Sequence, residues 1–289
     1  KKKDTILITG GSGFIGSHLV ERLIAKYKII VIDNLSSGKI ENLKPLLKKI
    51  KFYKVDLSNI NFMEHLKNVP KIDYIFHLAA LADIVPSIQN PINYVKSNIL
   101  ATYNVLELAK SKKVKKIIYS ASSSCYGLAS VVPTKTSSKK DPQYPYAHTK
   151  YIAEQAILHW SKVYDTKYLS FRFFNVYGPR ARTNGTYGAV FGTFLAQILN
   201  KVPITIVGNG KQKRDFVYIS DVVDLLEKSL KSKMVNKIYN VGFGKPRTIN
   251  DLVKMLNYNN KEYIPKRPGE PLVTHAEIYK TKKDFNWSP

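Results

Sequence analysis

Cysteine is almost missing from this 289-residue chain: Cys125 stands alone. A single thiol excludes an internal disulfide and a cysteine metal cluster, so no metal is expected, and it fits a reducing compartment, the cytoplasm. Acidic residues are scarce as well, 21 against 46 Lys and Arg, which leaves a net charge of +25. Within that basic excess arginine is rare, with seven residues. No apolar run approaches the roughly 18 residues of a membrane span and no signal peptide is visible, so no membrane association is expected. Hydrophobic residues make up 44% of the chain, enough for a sizeable core and too many for wholesale disorder.

A basic balance of this size can serve nucleic acid, an anionic membrane or an anionic substrate. The lysine runs at Lys1 to Lys3, Lys48-Lys49 and between Lys112 and Lys116 are dispersed and lack interleaved aromatics. That distribution favours a solvated lysine-rich surface over a nucleic-acid footprint.

Strand-like and helix-like stretches alternate through the first 175 residues. Thr5–Thr9, Ile29–Asp33, Phe52–Val55, Tyr74–His77, Lys116–Ser120 and Tyr168–Phe173 read as strands. Helical patterns cover Phe14–Lys26, Asn59–Lys67, Ile92–Ala109 and Tyr146–Tyr164. Alternation of this kind predicts an α/β fold, a Rossmann-type doubly wound parallel sheet with helices on both faces. After residue 176 glycine and proline become frequent, and only Val190–Asn200 and Asp221–Lys231 look helical. The division expected is a nucleotide-binding domain over 1–175 and a smaller C-terminal lobe over 176–289, mainly substrate-binding, with a proline-punctuated connector at Pro265 to Pro271.

The first strand runs into Gly10-Gly11-Ser12-Gly13-Phe14-Ile15-Gly16 and then a helix. Glycine at the first positions permits the tight turn, Gly13 lets backbone approach a pyrophosphate, and Gly16 lets helix pack on strand. The helix start then offers free N–H groups and a positive dipole end to phosphates. GxGxxG alone is a weak signal; strand, glycines and helix in this order make it a strong one. Asp33 closes the next strand, 20 residues after Gly13. A carboxylate there can accept both adenosine ribose hydroxyls and would repel a 2′-phosphate, which favours NAD over NADP. The bland alternative is a turn-forming Asp ahead of Asn34.

Tyr146 and Lys150 are four apart at the start of a helix, hence on one face. An ammonium beside a phenol, together with a cationic nicotinamide, lowers its pKa and suits it to proton transfer near neutral pH. A second Tyr-x-x-x-Lys, Tyr279/Lys283, exists, but only the first follows the fifth strand and the cluster Ser122-Ser123-Ser124. That cluster sits at the carboxyl end of a strand, where open α/β sheets place ligands. It reads either as a hydrogen-bonding set for a sugar hydroxyl or as a polar turn.

With these motifs in hand, the chain resembles the extended short-chain dehydrogenase/reductase family, and within it the UDP-glucose and UDP-N-acetylglucosamine 4-epimerases. The resemblance spans nearly the whole chain through Thr9 to Gly16, Asp33-Asn34, Asp56-Leu57, His77 to Ala80, Ser122 to Gly127, Tyr146 to Lys150, Phe173 to Asn175, Arg214 to Phe216 and Arg267 to Glu270. It implies bound NAD, with Gly10, Gly13, Phe14, Ile15, Gly16, Asp33 and Asn34 around the adenosine and phosphates and Asp56 and Leu57 flanking the adenine. Leu78, Ala79 and Ala80 would line the NAD channel, with Asn98 and Phe173 near the nicotinamide. Ser122, Tyr146 and Lys150 would be catalytic, the last two also touching NAD. Ser122, Ser124, Asn175, Ala189, Val190, Phe191, Arg214, Arg267 and Glu270 would meet the nucleotide sugar. The resemblance also implies a cytoplasmic homodimer working in carbohydrate metabolism and polysaccharide biosynthesis, its interface formed by the helices near Ile92–Ala109 and Tyr146–Tyr164.

Departures narrow the reaction. Related 4,6-dehydratases carry an acidic pair after the catalytic Ser/Thr, and related decarboxylases keep a Glu there; here Ser123 and Ser124 stand instead. The implied reaction is therefore 4-epimerisation through a transient 4-keto sugar. Ala82 stands where some epimerases have a lysine near the phosphates. Thr274, seven after Arg267, occupies a position that is a bulky Tyr in glucose-restricted relatives, which leaves room for an N-acetylated sugar. Two other readings stay open: a nucleotide-sugar 4-ketoreductase or dehydrogenase, which would consume external cofactor, and a non-catalytic nucleic-acid-binding member, against which the retained Ser122, Tyr146 and Lys150 argue.

Overall fold

The structure is a computed structural model describing residues 3–66, 69–182, 190–265 and 270–289. Six strands follow the expected order: β1 (Thr5–Thr9), β2 (Lys28–Asp33), β3 (Lys51–Lys54), β4 (Tyr74–His77), β5 (Lys116–Ser122) and β6 (Tyr168–Phe173). With Lys237–Val241 they form one seven-stranded sheet in the order 237–241, β6, β5, β4, β1, β2, β3, every pairing parallel. The chain winds outward from β1 through β2 to β3, then restarts at β4 on the other side of β1. The crevice between the carboxyl ends of β1 and β4 is thus a switch point, where ligands bind in open sheets.

Successive strand residues point to opposite faces, and both faces are covered. Ile6 and Ile8 join one apolar core with Val31, Phe76 and Phe171, while Leu7 joins the other with Ile30, Ile32, Ile75 and Tyr119. Helix α1 (Phe14–Leu23) and the helix Ile219–Lys231 cover the first face through Leu19, Val20, Leu23, Val222 and Leu226. The helices Ala101–Ser111 and Pro145–Tyr164 cover the second through Val105, Leu108, Ala153, Ile157 and Trp160. Among the described residues no helix is long and apolar enough to cross a membrane.

Among the described residues the helical pattern over Asn59–Lys67 yields the single turn Phe62–His65. Its entry is taken by side chains that bond to nearby backbone: the Asn61 N–H donates to Asn59 Oδ1 and the Ser58 N–H to Asp56 Oδ1. Such bonds compete with the helix ladder. The pattern over Ile92–Ala109 is helical throughout but not uniform. A turn at Pro91–Tyr94 passes into a π-helical stretch at Val95–Leu100 before the regular helix begins. Asn98 sits in that widened stretch, a feature frequent at functional sites.

The expected division at residues 175 and 176 does not follow the sheet. The chain leaves at Asn175, builds part of a lobe, and returns at Ile219 to supply a core helix and the edge strand Lys237–Val241. Phe285 and Trp287 also pack into the sheet's core. The lobe has a smaller core of its own, with Phe194, Ile204, Ile206, Phe216, Ile249 and Leu252. Three short strand pairs hold it together: Asn175–Tyr177 with Phe216–Tyr218, Lys213–Arg214 with Arg247–Thr248, and Ile204–Val207 with Lys261–Ile264.

Candidate active site

The glycine-rich turn after β1 is built where a side chain would collide. Gly10 has φ +70°, and a Cβ there would lie 2.8 Å from the Ala79 backbone. At Gly16 a Cβ would lie 2.2 Å from the Gly10 carbonyl oxygen. Beyond the turn α1 starts at Phe14 from an extended Gly13, with no side-chain cap and no acidic residue in its first turn. Its first N–H groups therefore remain available to an anion. Phe14 and Ile15 pack their side chains against the sheet's core.

Asp33 is buried at the end of β2. Its Oδ2 accepts from the Ser12 N–H at 2.9 Å and its Oδ1 from the Leu35 N–H at 2.8 Å. The carboxylate therefore pins the glycine turn to the loop after β2, and it forms an aspartate turn as well. Asn34 donates to Asp56 Oδ2 at 3.1 Å. Burial works to raise the Asp56 carboxyl, but hydrogen bonds from Ser58 and Asn34 outweigh it and the net shift is downward. Leu57 is buried in the core, and its carbonyl accepts from Asn104.

One step along the sheet, His77 is fully buried between two hydroxyls, Thr9 Oγ1 at 2.8 Å from Nδ1 and Thr102 Oγ1 at 2.9 Å from Nε2. Thr102 donates to the Asn98 carbonyl, so it must accept from His77 Nε2–H. Thr9 accepts from the N–H groups of Leu78 and Ala79, so it donates to Nδ1. Both nitrogens are thus assigned for a neutral ring, and burial pushes its pKa down to about 3. The chain of bonds anchors the start of the Leu78-Ala79-Ala80 segment over Gly10. Asn98 continues it: its side chain pairs with both backbone groups of Leu81 and donates to Thr149 Oγ1 at 3.0 Å. These bonds make Asn98 a brace between the loop after β4 and the helix carrying Lys150.

Ser122 ends β5 opposite Phe173 of β6. Its Oγ accepts from the Ser124 N–H and lies 2.7 Å from Ser124 Oγ. The Tyr146 phenol reaches the same serine, so Ser122, Ser124 and Tyr146 converge. Tyr146 is flanked by Tyr144, stacked at 6.3 Å and 11°, and by Tyr94, edge-on at 6.5 Å. Burial raises the Tyr146 pKa and the Ser122 hydrogen bond opposes that rise. The sequence reading expects Lys150 to lower it; the structure instead makes burial dominant and gives the opposing role to Ser122. Lys150 is buried, with Nζ 4.3 Å from the centre of the Tyr119 ring. Burial brings its pKa down to about 7, partly countered by Glu154.

The lobe side of the crevice is assembled from distant segments. Arg214 is mostly buried; its Nη2 donates to Glu270 Oε1 at 2.6 Å and its Nη1 to the carbonyls of Lys213 and Pro271. Two of the residues expected to hold the nucleotide, Arg214 and Glu270, are therefore together, bound to each other. Asn175 Oδ1 lies 3.4 Å from Thr274 Oγ1, which also accepts from the Asp215 N–H. Phe191 stacks on Tyr177 at 4.5 Å and meets Phe216 edge-on, an aromatic cluster that faces the lobe core, and Val190 packs there too. Ala189 and Arg267 lie outside the described residues. Sequence reasoning passed over Tyr94, Tyr144 and the ion pair of Asp83 with Arg182, which sets the Asp83 charge within reach of Tyr146. The pair of tyrosines around Pro145 was the signal available for Tyr144.

A dinucleotide fits these residues. The glycines keep its cradle open, the helix start is uncapped, and the buried Ser12 hydroxyl has no hydrogen-bond partner among the described residues. Among those residues no group of acidic, His or Cys side chains is arranged to hold a metal ion. Cradle, switch-point crevice and a Ser-Tyr-Lys set together define a nicotinamide-dependent enzyme of the short-chain dehydrogenase/reductase type.

Comparison with known proteins narrows that class. Residues 6–242 match the NAD dependent epimerase/dehydratase family, and the chain belongs to it. The UDP-N-acetylglucosamine 4-epimerase of Methanobrevibacter ruminantium M1, solved with UDP-N-acetylmuramic acid, is 36% identical over 100% of this chain and 94% of that one, with a TM-score of 0.92. The UDP-glucose 4-epimerase of Thermotoga maritima, solved with UDP-glucose, is 35% identical over 99% and 93%, with a TM-score of 0.93. A UDP-glucuronate 4-epimerase from Thermodesulfobacterium geofontis is 36% identical over 98% of this chain and 90% of its own. The protein is an NAD-dependent nucleotide-sugar epimerase.

Proposed function

We propose that the protein inverts C4 of a UDP-hexose or UDP-N-acetylhexosamine, with Ser122, Tyr146 and Lys150 as its catalytic residues. The observation that carries this reading is the convergence of Ser122 and Tyr146 at the carboxyl end of β5, with Lys150 one turn further along the same helix. NAD, when bound, would supply the acceptor for the C4 hydride and its source on return. Tyr146 takes the O4 proton, and Ser122, hydrogen-bonded to Ser124 and close to the phenol, steadies the sugar oxygen during that transfer. Lys150 would hold the nicotinamide ribose, and its ammonium would add to the Ser122 hydrogen bond in favouring the ionised phenol. Ser123 and Ser124 lack the acidity to eliminate a neighbouring hydroxyl, so the 4-keto sugar is reduced again after turning over. Arg214 keeps it anchored by its diphosphate, guanidinium being the side chain best shaped for that contact. Glu270, now on Arg214, is the group a diphosphate would displace.

Thr274, small and adjacent to Asn175, supports room for an N-acetyl group. The partner we assign is a second copy of the chain. Ile92, Val95, Leu100 and Tyr103 on one helical run, with Val163 and Tyr164 on the next, are exposed apolar side chains on neighbouring elements. Exposed apolar side chains grouped on two packed helices suit an interface; light scattering of the purified protein should give twice the chain mass.

The deciding experiment incubates purified protein, without added cofactor, with UDP-N-acetylglucosamine, UDP-glucose and UDP-glucuronate, and separates products by anion exchange. The C4 epimer of one of them is expected. Turnover only with stoichiometric external NAD⁺, giving a keto sugar and NADH, would replace the proposal with a nucleotide-sugar dehydrogenase.

A further inference from the structure

The helix Pro145–Tyr164 carries a third ionisable side chain on the stripe that starts with Tyr146 and Lys150. Glu154 follows Lys150 by one turn, and its side chain is 1% exposed, as is that of its partner Arg172 on β6. Arg172 Nη2 donates to Glu154 Oε2 at 2.6 Å and Nε to both carboxylate oxygens at 3.2 Å, while Ser170 donates to Oε1 at 2.6 Å. The remaining Nη1 donates to the Tyr126 hydroxyl at 2.9 Å and to the Thr136 carbonyl at 3.0 Å. Tyr126 closes the turn that begins at Ser122, and its hydroxyl donates to Asn240 Oδ1 at 2.6 Å. One buried network thus joins the helix of Tyr146 and Lys150 to the turn of Ser122.

Stability alone is a poor reason for such a pair, because well-packed apolar side chains of similar volume are often as good or better. Its position suggests another. Tyr146 and Glu154 stand one turn before and after Lys150 on its own helix, and Lys150 senses the Glu154 charge, the Tyr119 ring of β5 and His77 of β4. His77 is held neutral by its two hydroxyl partners, and burial keeps the Tyr119 phenol protonated. Glu154 is therefore the one negative charge near Lys150 among the described residues. We propose that Glu154, held by Arg172, is a positioning residue for the reaction: its carboxylate is the counter-charge that keeps the Lys150 ammonium in place, and Arg172 ties it to the turn presenting Ser122.

This rests on the reading of Tyr146 and Lys150 given above, and the test is chosen to separate the two. In protein carrying ¹³C-labelled lysine, one ε-carbon resonance should titrate near pH 7 and be missing from Lys150→Met. Glu154→Gln should lower its midpoint by about one unit, the effect of losing an adjacent opposite charge. Because that variant leaves Arg172 buried and unpaired, Glu154→Gln/Arg172→Met is made beside it. This double variant should keep its fold, show a midpoint shifted the same way, and move the acid limb of kcat/KM to higher pH. Glu154→Asp, which keeps the charge, should recover most of the shift. A folded double variant with the wild-type midpoint and pH profile overturns the proposal, as does Glu154→Asp behaving like Glu154→Gln. The resonance needs no turnover: a shift seen in a protein inert toward every UDP-hexose supports the assignment of Glu154 and breaks only the reading of the reaction.

Discussion

Two Arg–Glu pairs stand on either side of the crevice and differ in access. Glu154 with Arg172 is sealed at 1% exposure on both sides, whereas Arg214 and Glu270 are 10% and 30% exposed. The sealed pair meets only the protein and can act only through its neighbours. The open pair lies against the lobe, where a ligand can take the place of one partner. The same two side-chain types therefore do opposite work, one holding the reacting end rigid and the other leaving a cation for exchange. Burial decides between them, because an unpaired charge is costly in the interior and tolerable at a wet surface.

That contrast can be broken by substitution. The largest effect belongs to the rigid end: Tyr146→Phe should lower kcat by about a thousandfold, within the usual range for losing an acid–base group, with the thermal midpoint unchanged. At the open end Arg214→Met should cost roughly thirtyfold in kcat/KM, about 2 kcal/mol of charge-assisted hydrogen bonding, mostly as a rise in KM. A selective loss of kcat there would erase the distinction between anchoring and chemistry.

A third prediction concerns acid. His77 is neutral in the fold down to about pH 3, while in the unfolded chain it takes up a proton below about 6.5. The unfolded state then binds more protons, so stability present above pH 6.5 falls as pH drops towards 3, by about 1.4 kcal/mol per unit for this group. Urea titrations at pH 7 and 5 should differ by about 2 kcal/mol more in the wild type than in His77→Gln. Equal differences would remove His77 as the cause. The smallest effect is expected in the lobe, where Thr248 and Asp251 form a reciprocal cap on the helix Ile249–Leu256. Thr248→Ala should cost about 1 kcal/mol and leave kcat alone.

The two sides also differ in how far they can be read from residue order. The glycine turn, Asp33 and the Tyr146/Lys150 stripe are short-range features whose geometry follows from spacing, since helix and strand periods place them before any packing is known. Strands β1, β2, β4 and β6 are legible because a sheet covered on both faces needs unbroken apolar runs. The helix at Phe62 is shorter than its hydrophobic spacing predicts because Asn59 and Asp56 bond to nearby backbone, which that spacing does not register. The return of the chain at Lys237–Val241 was missed for a different reason: an edge strand of five residues is ambiguous until its neighbour is known.

Residue order alone therefore settled the cradle, the alternation of strands and helices, and the stripe that carries Tyr146 and Lys150. Tertiary structure decided which charges meet. Arg172 finds Glu154 across 18 residues and Arg214 finds Glu270 across 56, and His77 is locked between hydroxyls 68 and 25 residues away. None of these distances has a period. They are set by which strand lies beside which and by how much water each pair retains, and those quantities exist only once the sheet has closed its two cores.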